Sequence, residues 1–223
     1  MKELFTFLKE LRENNNRDWF KANKTRYDIL SKEFVGIVQQ LIDHIAGFDS
    51  EVAGLEAKSC IYRIYRDIRF TNDKTPYKTH FGAYMTGYGG RTSPYGGYYL
   101  HIDPAGSFVS GGVWQPEPKM LKQLRREIYN NIEEFTDILE NEKFKQTFSE
   151  LEGETLQRMP DGFPKDCPYE SIIKHKSFIV SNEKSEEFFS SDNWINEVIE
   201  DFKLLYPFNR FLNYTMAEFF GKK

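Results

Sequence analysis

Apolar residues recur at helical spacing toward both ends of the chain and at strand spacing in its middle. Leu4, Phe5, Phe7, Leu8 and Leu11 mark an amphipathic helix over residues 3–13. Asn14, Asn15 and Asn16 end it, because asparagine favours turns and tolerates left-handed backbone. Asn16 or Asp18 can cap a second helix running through Trp19, Phe20 and Tyr27 toward Ile45, with Phe34, Ile37, Val38, Leu41, Ile42 and Ile45 on one stripe. From Ser59 the period falls to two. Cys60, Tyr62, Ile64, Ile68 and Phe70 share one face of a predicted strand, with Arg66 intruding, while Ile61, Arg63, Tyr65, Asp67 and Arg69 share the other. The turn formers of residues 71–76 lead into a second strand within residues 77–84.

Residues 98–103 and 108–114 alternate again on either side of Pro104-Ala105-Gly106, which completes a four-stranded, largely antiparallel meander. The glycine-rich stretch 87–97 lacks the spacing of a phosphate cradle and reads as a flexible hairpin connection or a flap. Helical spacing returns at Leu121, Leu124, Ile128, Ile132, Phe135 and Leu139, with Arg125, Arg126, Glu133 and Glu134 outward. A short helix near 144–151, an irregular loop over 159–170 and a further strand over 177–181 follow. A closing helix runs from Trp194 to Leu205 and ends at Pro207. Helices, then strands, then helices predict an α+β fold: a single domain over residues 1–223, its central antiparallel sheet flanked by N-terminal and C-terminal helices.

Composition narrows the partners. A chain of 223 residues can bury a large core, and its 20 Phe and 13 Tyr suit an aromatic-rich one. The net charge of −4 argues against binding driven by phosphate neutralisation, so nucleic acid is not an expected partner. Tyr62, Tyr65 and Tyr77 interleave with basic residues as a single-strand stacking platform would, which keeps that option last rather than absent. No apolar run is long enough for a membrane span and the first residues lack a signal-peptide pattern, so a cytoplasmic protein without a membrane partner is expected. Cys60 and Cys167 match no metal or redox spacing and read as free buried thiols.

The candidate chemistry concentrates in residues 58–81. Arg63, Arg66 and Arg69 offer planar forks suited to carboxylate or phosphate oxygens, and Lys74 and Lys78 lie on the following loop with His80 beside them. The strand period puts Arg63 and Arg69 on one face as a clamp and leaves Arg66 opposite, as a buried structural charge. One reading is a strand-borne arginine cluster that binds a small anionic ligand, with Lys74, Lys78 and His80 closing on it and turnover left open. Asp67 and His101 are then the candidates for proton transfer. The competing reading is a strand whose arginines end in carboxylates such as Asp67, Asp73 and Glu133. A further alternative is a non-enzymatic interaction surface for a protein partner or for self-association. His101-x-Asp103 could supply two metal ligands, but no third stands at a recognisable spacing, so neither metal nor cofactor is expected. No nucleophile elbow, zinc-protease motif or dinucleotide fingerprint is present to fix an enzymatic activity.

Four segments together resemble a known family: NNNRDWF (14–20), the run from Arg63 to Gly82 with its R-x-x-R-D-I-R-F-x-x-D-K-T-P-Y-K-T-H-F-G pattern, GGYYLHIDP (96–104) and GGVWQPEP (111–118). The family is a bacterial set of conserved hypothetical proteins forming a domain of unknown function, with relatives in some fungi. The resemblance covers nearly the whole chain and implies a one-domain α+β protein. It implies no activity and assigns no role to any residue.

Overall fold

The structure is a computed structural model and describes residues 1–221. Helices α1 (Lys2–Glu13), α2 (Arg17–Ala22), α3 (Lys24–Ile45) and α4 (Ala57–Cys60) precede strands β1 (Phe81–Met85), β2 (Gly97–Ile102) and β3 (Ser107–Val113). Then come α5 (Pro118–Asn130), α6 (Ile132–Glu140), α7 (Glu142–Phe148), α8 (Glu170–Ile173), β4 (Phe178–Lys184) and α9 (Trp194–Phe219). The strands form one antiparallel sheet in the order β1-β2-β3-β4, so the α+β class stands. Among the described residues no helix is long and apolar enough to cross a membrane.

The fourth strand is not the expected one. Residues 59–70 form no regular strand; α4 ends at Cys60, and the chain then makes only two isolated bridges, Ile61 with Ala83 and Tyr65 with Tyr77. Four steps on one side therefore oppose six on the other. The returning chain holds two extra residues, which fall at Thr79 and His80 between the bonds Lys78 N–H to Ile64 O (2.7 Å) and Tyr62 N–H to Gly82 O (2.9 Å). Such a bulge breaks the ladder and re-aims side chains. Pro76, with no N–H to give, limits pairing at the far end. The alternation of residues 60–70 was real, but register and proline kept it from becoming a strand.

The chain falls into two compact units. The first comprises Met1–Thr92, Tyr99–Val109 and Glu183–Glu200. Its core is the buried stripe of α1 (Leu4, Phe5, Phe7, Leu8 and Leu11) with that of α3 (Leu30, Phe34, Val38, Leu41, Ile42 and Ile45). Asn16 caps α2 by accepting from Trp19 N–H at 2.9 Å, and Asn23 then interrupts what the periodicity presents as one long helix. Asn15 ties the next region down: its side-chain amide donates to Tyr77 O at 2.9 Å and accepts from Tyr77 N–H at 3.1 Å. Phe20 stacks on Tyr77 at 4.0 Å between ring centres. The glycine-rich stretch lies against backbone here: a Cβ at Gly87 would meet Glu51 O at 2.2 Å, and one at Gly90 would meet Ser59 O at 2.6 Å.

The second unit comprises Ser93–Tyr98, Ser110–Asn182 and the chain from Asp201 on. Asn131 divides the expected long helix into α5 and α6, and Asn141 caps α7 through Phe144 N–H. Phe135 packs on Phe178, Phe208 and Phe211. Pro207 does not end the last helix but lies inside α9. Two asparagines of that helix bind strand backbone. Asn209 accepts from Gly112 N–H at 2.8 Å and donates to Gly97 O at 3.0 Å; Asn213 accepts from Gly96 N–H at 2.7 Å and donates to Gly96 O at 3.0 Å. Gly112 has φ +107°, and a Cβ there would lie 2.0 Å from Phe178 O, so no other residue fits. Cys60 and Cys167 are both free and buried.

Candidate functional site

Strand β2 builds the floor of a polar cluster in the first unit. Its alternation buries Leu100 and Ile102 and leaves Tyr99 and His101, with Asp103 just beyond, less buried on the other face. His101 Nδ1 lies 2.9 Å from the Tyr99 hydroxyl, and its ring stacks on Phe108 of β3 at 4.6 Å. Gly82 of β1 makes room for that hydroxyl: a Cβ there would stand 2.7 Å from it. Asp103 begins the turn to β3. Its Oδ1 accepts from Ala105 N–H at 2.8 Å and from Arg12 of α1, which leaves Oδ2 facing His101 Nε2 at 3.8 Å, too far for a hydrogen bond.

The bulge brings His80 to the same place. Its ring centre is 4.4 Å from that of His101, and a ligating atom from each of His80, His101 and Asp103 falls within 4.8 Å of the others. The third group missing from the sequence pattern is therefore present, supplied by a register shift rather than by spacing. Burial, then the neighbouring His101 and Lys78, hold His80 down at a pKa of about 4, and burial lowers His101 too against the opposing pull of Asp103. Burial likewise pushes the Tyr99 phenol up, so it remains a neutral hydroxyl.

Lys78 stands next in line. Its ammonium lies 5.1 Å over the Tyr62 ring, and Tyr62 meets Tyr99 edge-on at 6.2 Å. Among the described residues no carboxylate pairs with Lys78; burial and then the nearby Arg63 guanidinium lower its pKa. Arg63 is exposed.

The other charges of the segment are used internally. Arg69 closes a fork on Asp67, Nε to Oδ1 at 2.9 Å and Nη2 to Oδ2 at 2.7 Å, in the open: its side chain is 74% exposed. Those bonds hold Asp67 far below the usual carboxylate range and leave it no readiness to take a proton. Lys74 donates to Ile68 O at 2.9 Å. Arg66 is not the buried charge expected. Its side chain is 25% exposed, and it binds Asp73 and Thr75 of its own turn, where Asp73 also accepts from Thr75 N–H at 2.9 Å. The structure thus brings together Lys78, His80 and His101, sets the exposed Arg63 within electrostatic reach of both Lys78 and Asp67, and uses Arg66, Asp67, Arg69 and Lys74 within their own turn.

Tyr99, Arg12 and Gly82 were not singled out from sequence, although the period-two run Tyr99-x-His101-x-Asp103 carried the signal for the first. In the second unit, Arg125 also departs from expectation. It was placed outward, yet it is 7% exposed, beside a pocket of about 570 Å³ that Trp114, Leu121, Leu156 and Ser177 also line. Its Nη2 donates to His175 O at 2.7 Å and burial lowers its pKa.

A family model described as a conserved hypothetical protein (DUF2461) matches residues 3–211, and the chain belongs to that family. No curated protein and no solved structure gives a match.

Proposed function

We propose that this member of the family binds a small anionic ligand, bearing phosphate or carboxylate, at Lys78 and Arg63 beside the His80–His101 pair. The observation that carries the reading is Lys78. A half-buried ammonium normally finds a carboxylate, since taking a charge out of water without one is costly. This one has a tyrosine face and a second cation instead, which leaves positive charge uncompensated where an anion would restore the balance. Arg63 adds a fork that no described carboxylate occupies as Asp67 occupies Arg69. The arginine clamp expected from sequence contracts in this reading to one arginine and one lysine.

Thermal unfolding with inorganic phosphate and pyrophosphate tests it. A ligand at one hundred times its Kd stabilises by about 2.7 kcal/mol, a shift of several degrees. Lys78→Met should remove the shift, and Arg63→Met should reduce it. Arg69→Met should keep it. Failure of both anions to move the wild-type midpoint, or an undiminished shift in Lys78→Met, overturns the proposal. A surface for a protein partner has one observation in its favour, the 92% exposed Phe70 close to the 46% exposed Tyr65 in sequence. It calls for salt-dependent self-association that Phe70→Ser abolishes.

A further inference from the structure

We propose that His80, His101 and Asp103 form a binding site for a divalent transition-metal ion. The ligand set is two imidazoles and one carboxylate, which suits Zn²⁺, Fe²⁺, Mn²⁺ or Co²⁺ and leaves coordination positions open; Mg²⁺ and Ca²⁺ prefer all-oxygen sites. The three groups come from separate pieces of structure: the bulge after Lys78, strand β2 and the β2–β3 turn. Among the described contacts, only the tilted His80–His101 ring contact and the approach of Asp103 to His101 run between them. His101 Nε2 and Asp103 Oδ2 stand 3.8 Å apart, beyond hydrogen-bond reach. That separation is about 0.5 Å wider than the roughly 3.3 Å that two bonds of about 2.0–2.1 Å subtend at a tetrahedral ion. The limit of 4.8 Å for the whole set asks the widest pair to close by at most about 1.5 Å, which side-chain rotations supply.

The surroundings are those a metal site uses. Ligation through His101 Nε2 needs the proton on Nδ1, and the Tyr99 oxygen stands 2.9 Å away to accept it. Tyr99 itself is held against Gly82, where no Cβ intrudes. Asp103 is aimed by its other oxygen, which Arg12 and Ala105 N–H hold, so Oδ2 is the free one. An ordinary packing role for His101 accounts for its stack on Phe108. It does not account for a second, half-buried histidine drawn in beside it by two extra residues in the register. Metal ligation and general-base duty at His101 exclude each other, because ligation uses the ring nitrogen a base would need.

This inference goes beyond the anion reading and does not depend on it. The test is titration of the metal-stripped full chain with Co²⁺, followed by the visible d–d absorption that reports coordination, and competition with Zn²⁺. One ion per chain is expected. His80→Gln and His101→Gln should each weaken binding at least tenfold, and Tyr99→Phe, which touches no metal, should weaken it by roughly 10–100-fold. His44→Gln and His175→Gln should bind as the wild type does. No d–d band in the wild type, or unchanged affinity in His80→Gln with its native circular dichroism intact, overturns the site. Lys78→Met separates the two proposals: it should keep the Co²⁺ spectrum while losing the phosphate shift. A phosphate shift retained in His80→Gln alongside unchanged Co²⁺ affinity would sink the metal site and leave anion binding standing.

Discussion

Between Arg66 and Thr75 each charge closes on a group within ten residues of chain: Arg69 on Asp67, Arg66 on Asp73 and Thr75, Lys74 on the Ile68 carbonyl. Arg12, His80, His101 and Asp103 meet from across the first unit instead, Arg12 and Asp103 being 91 residues apart. The first set is short-range and largely exposed, and exposed pairs contribute little because water screens them and long side chains lose freedom. The second set is partly withdrawn from water, with His101 and Asp103 side chains each 14% exposed, so each polar group there costs free energy unless something answers it. Density of charge along a sequence and convergence of charge in a fold are different properties. Here they occupy neighbouring stretches of one chain, and the convergent one is the better guide to chemistry.

The largest effect that could break this contrast is at Asp103. Asp103→Ala removes the acceptor of Arg12 and of Ala105 N–H and should cost about 2–3 kcal/mol as read by urea unfolding, whereas Asp67→Ala should leave the midpoint nearly unchanged. Equal losses would erase the distinction. Next comes acid. His80 binds its proton at about 4 in the folded chain and near its ordinary 6.5 when unfolded, so the unfolded state takes up more protons between those values. Its contribution is full above pH 6.5 and is lost as pH falls toward 4, and His101 shifts in the same direction. With a chelator present, stability should fall by on the order of 2 kcal/mol across that window, and His80→Gln should flatten the slope. A wild-type curve level from pH 6.5 to 4 contradicts the burial of the pair. The smallest effect sharpens the comparison within the arginine turn: Arg66→Ala should cost about 1 kcal/mol, and Arg69→Ala should leave the unfolding midpoint nearly unchanged.

How far the sequence could be read follows from which interactions are local. The stripes of α1 and α3, the turn at residues 103–106 and the alternation of β2 depend on neighbours a few residues away, and each is legible; β3, buried on both faces but for Phe108, does not alternate as expected. The strand over 59–70 was not, because its alternation is genuine and only its partner's register, slipped by two at Thr79 and His80, prevents the ladder. The same slip hid His80 as a companion of His101. Arg125 was misplaced since a residue at the margin of a helical stripe can face either way, and a carbonyl from His175, 50 residues on, decided it. Pro207 was read as a stop, but the helix continues past it. The N-x-x-x-N pair of Asn209 and Asn213 carried no signal either, since its partners are glycine backbone far upstream.

That last pair has a bearing on how the chain is made. The bonds from Asn209 to Gly97 and from Asn213 to Gly96 span 112 and 117 residues. At a synthesis rate of about 5–20 residues per second, the Gly96–Gly97 backbone emerges roughly 6–23 s before its side-chain partners exist. For that interval its peptide groups must rest on water or on borrowed partners. The second unit can close only once Asn209 and Asn213 have been translated, after every segment of the first, so its assembly waits on α9 rather than on its own middle.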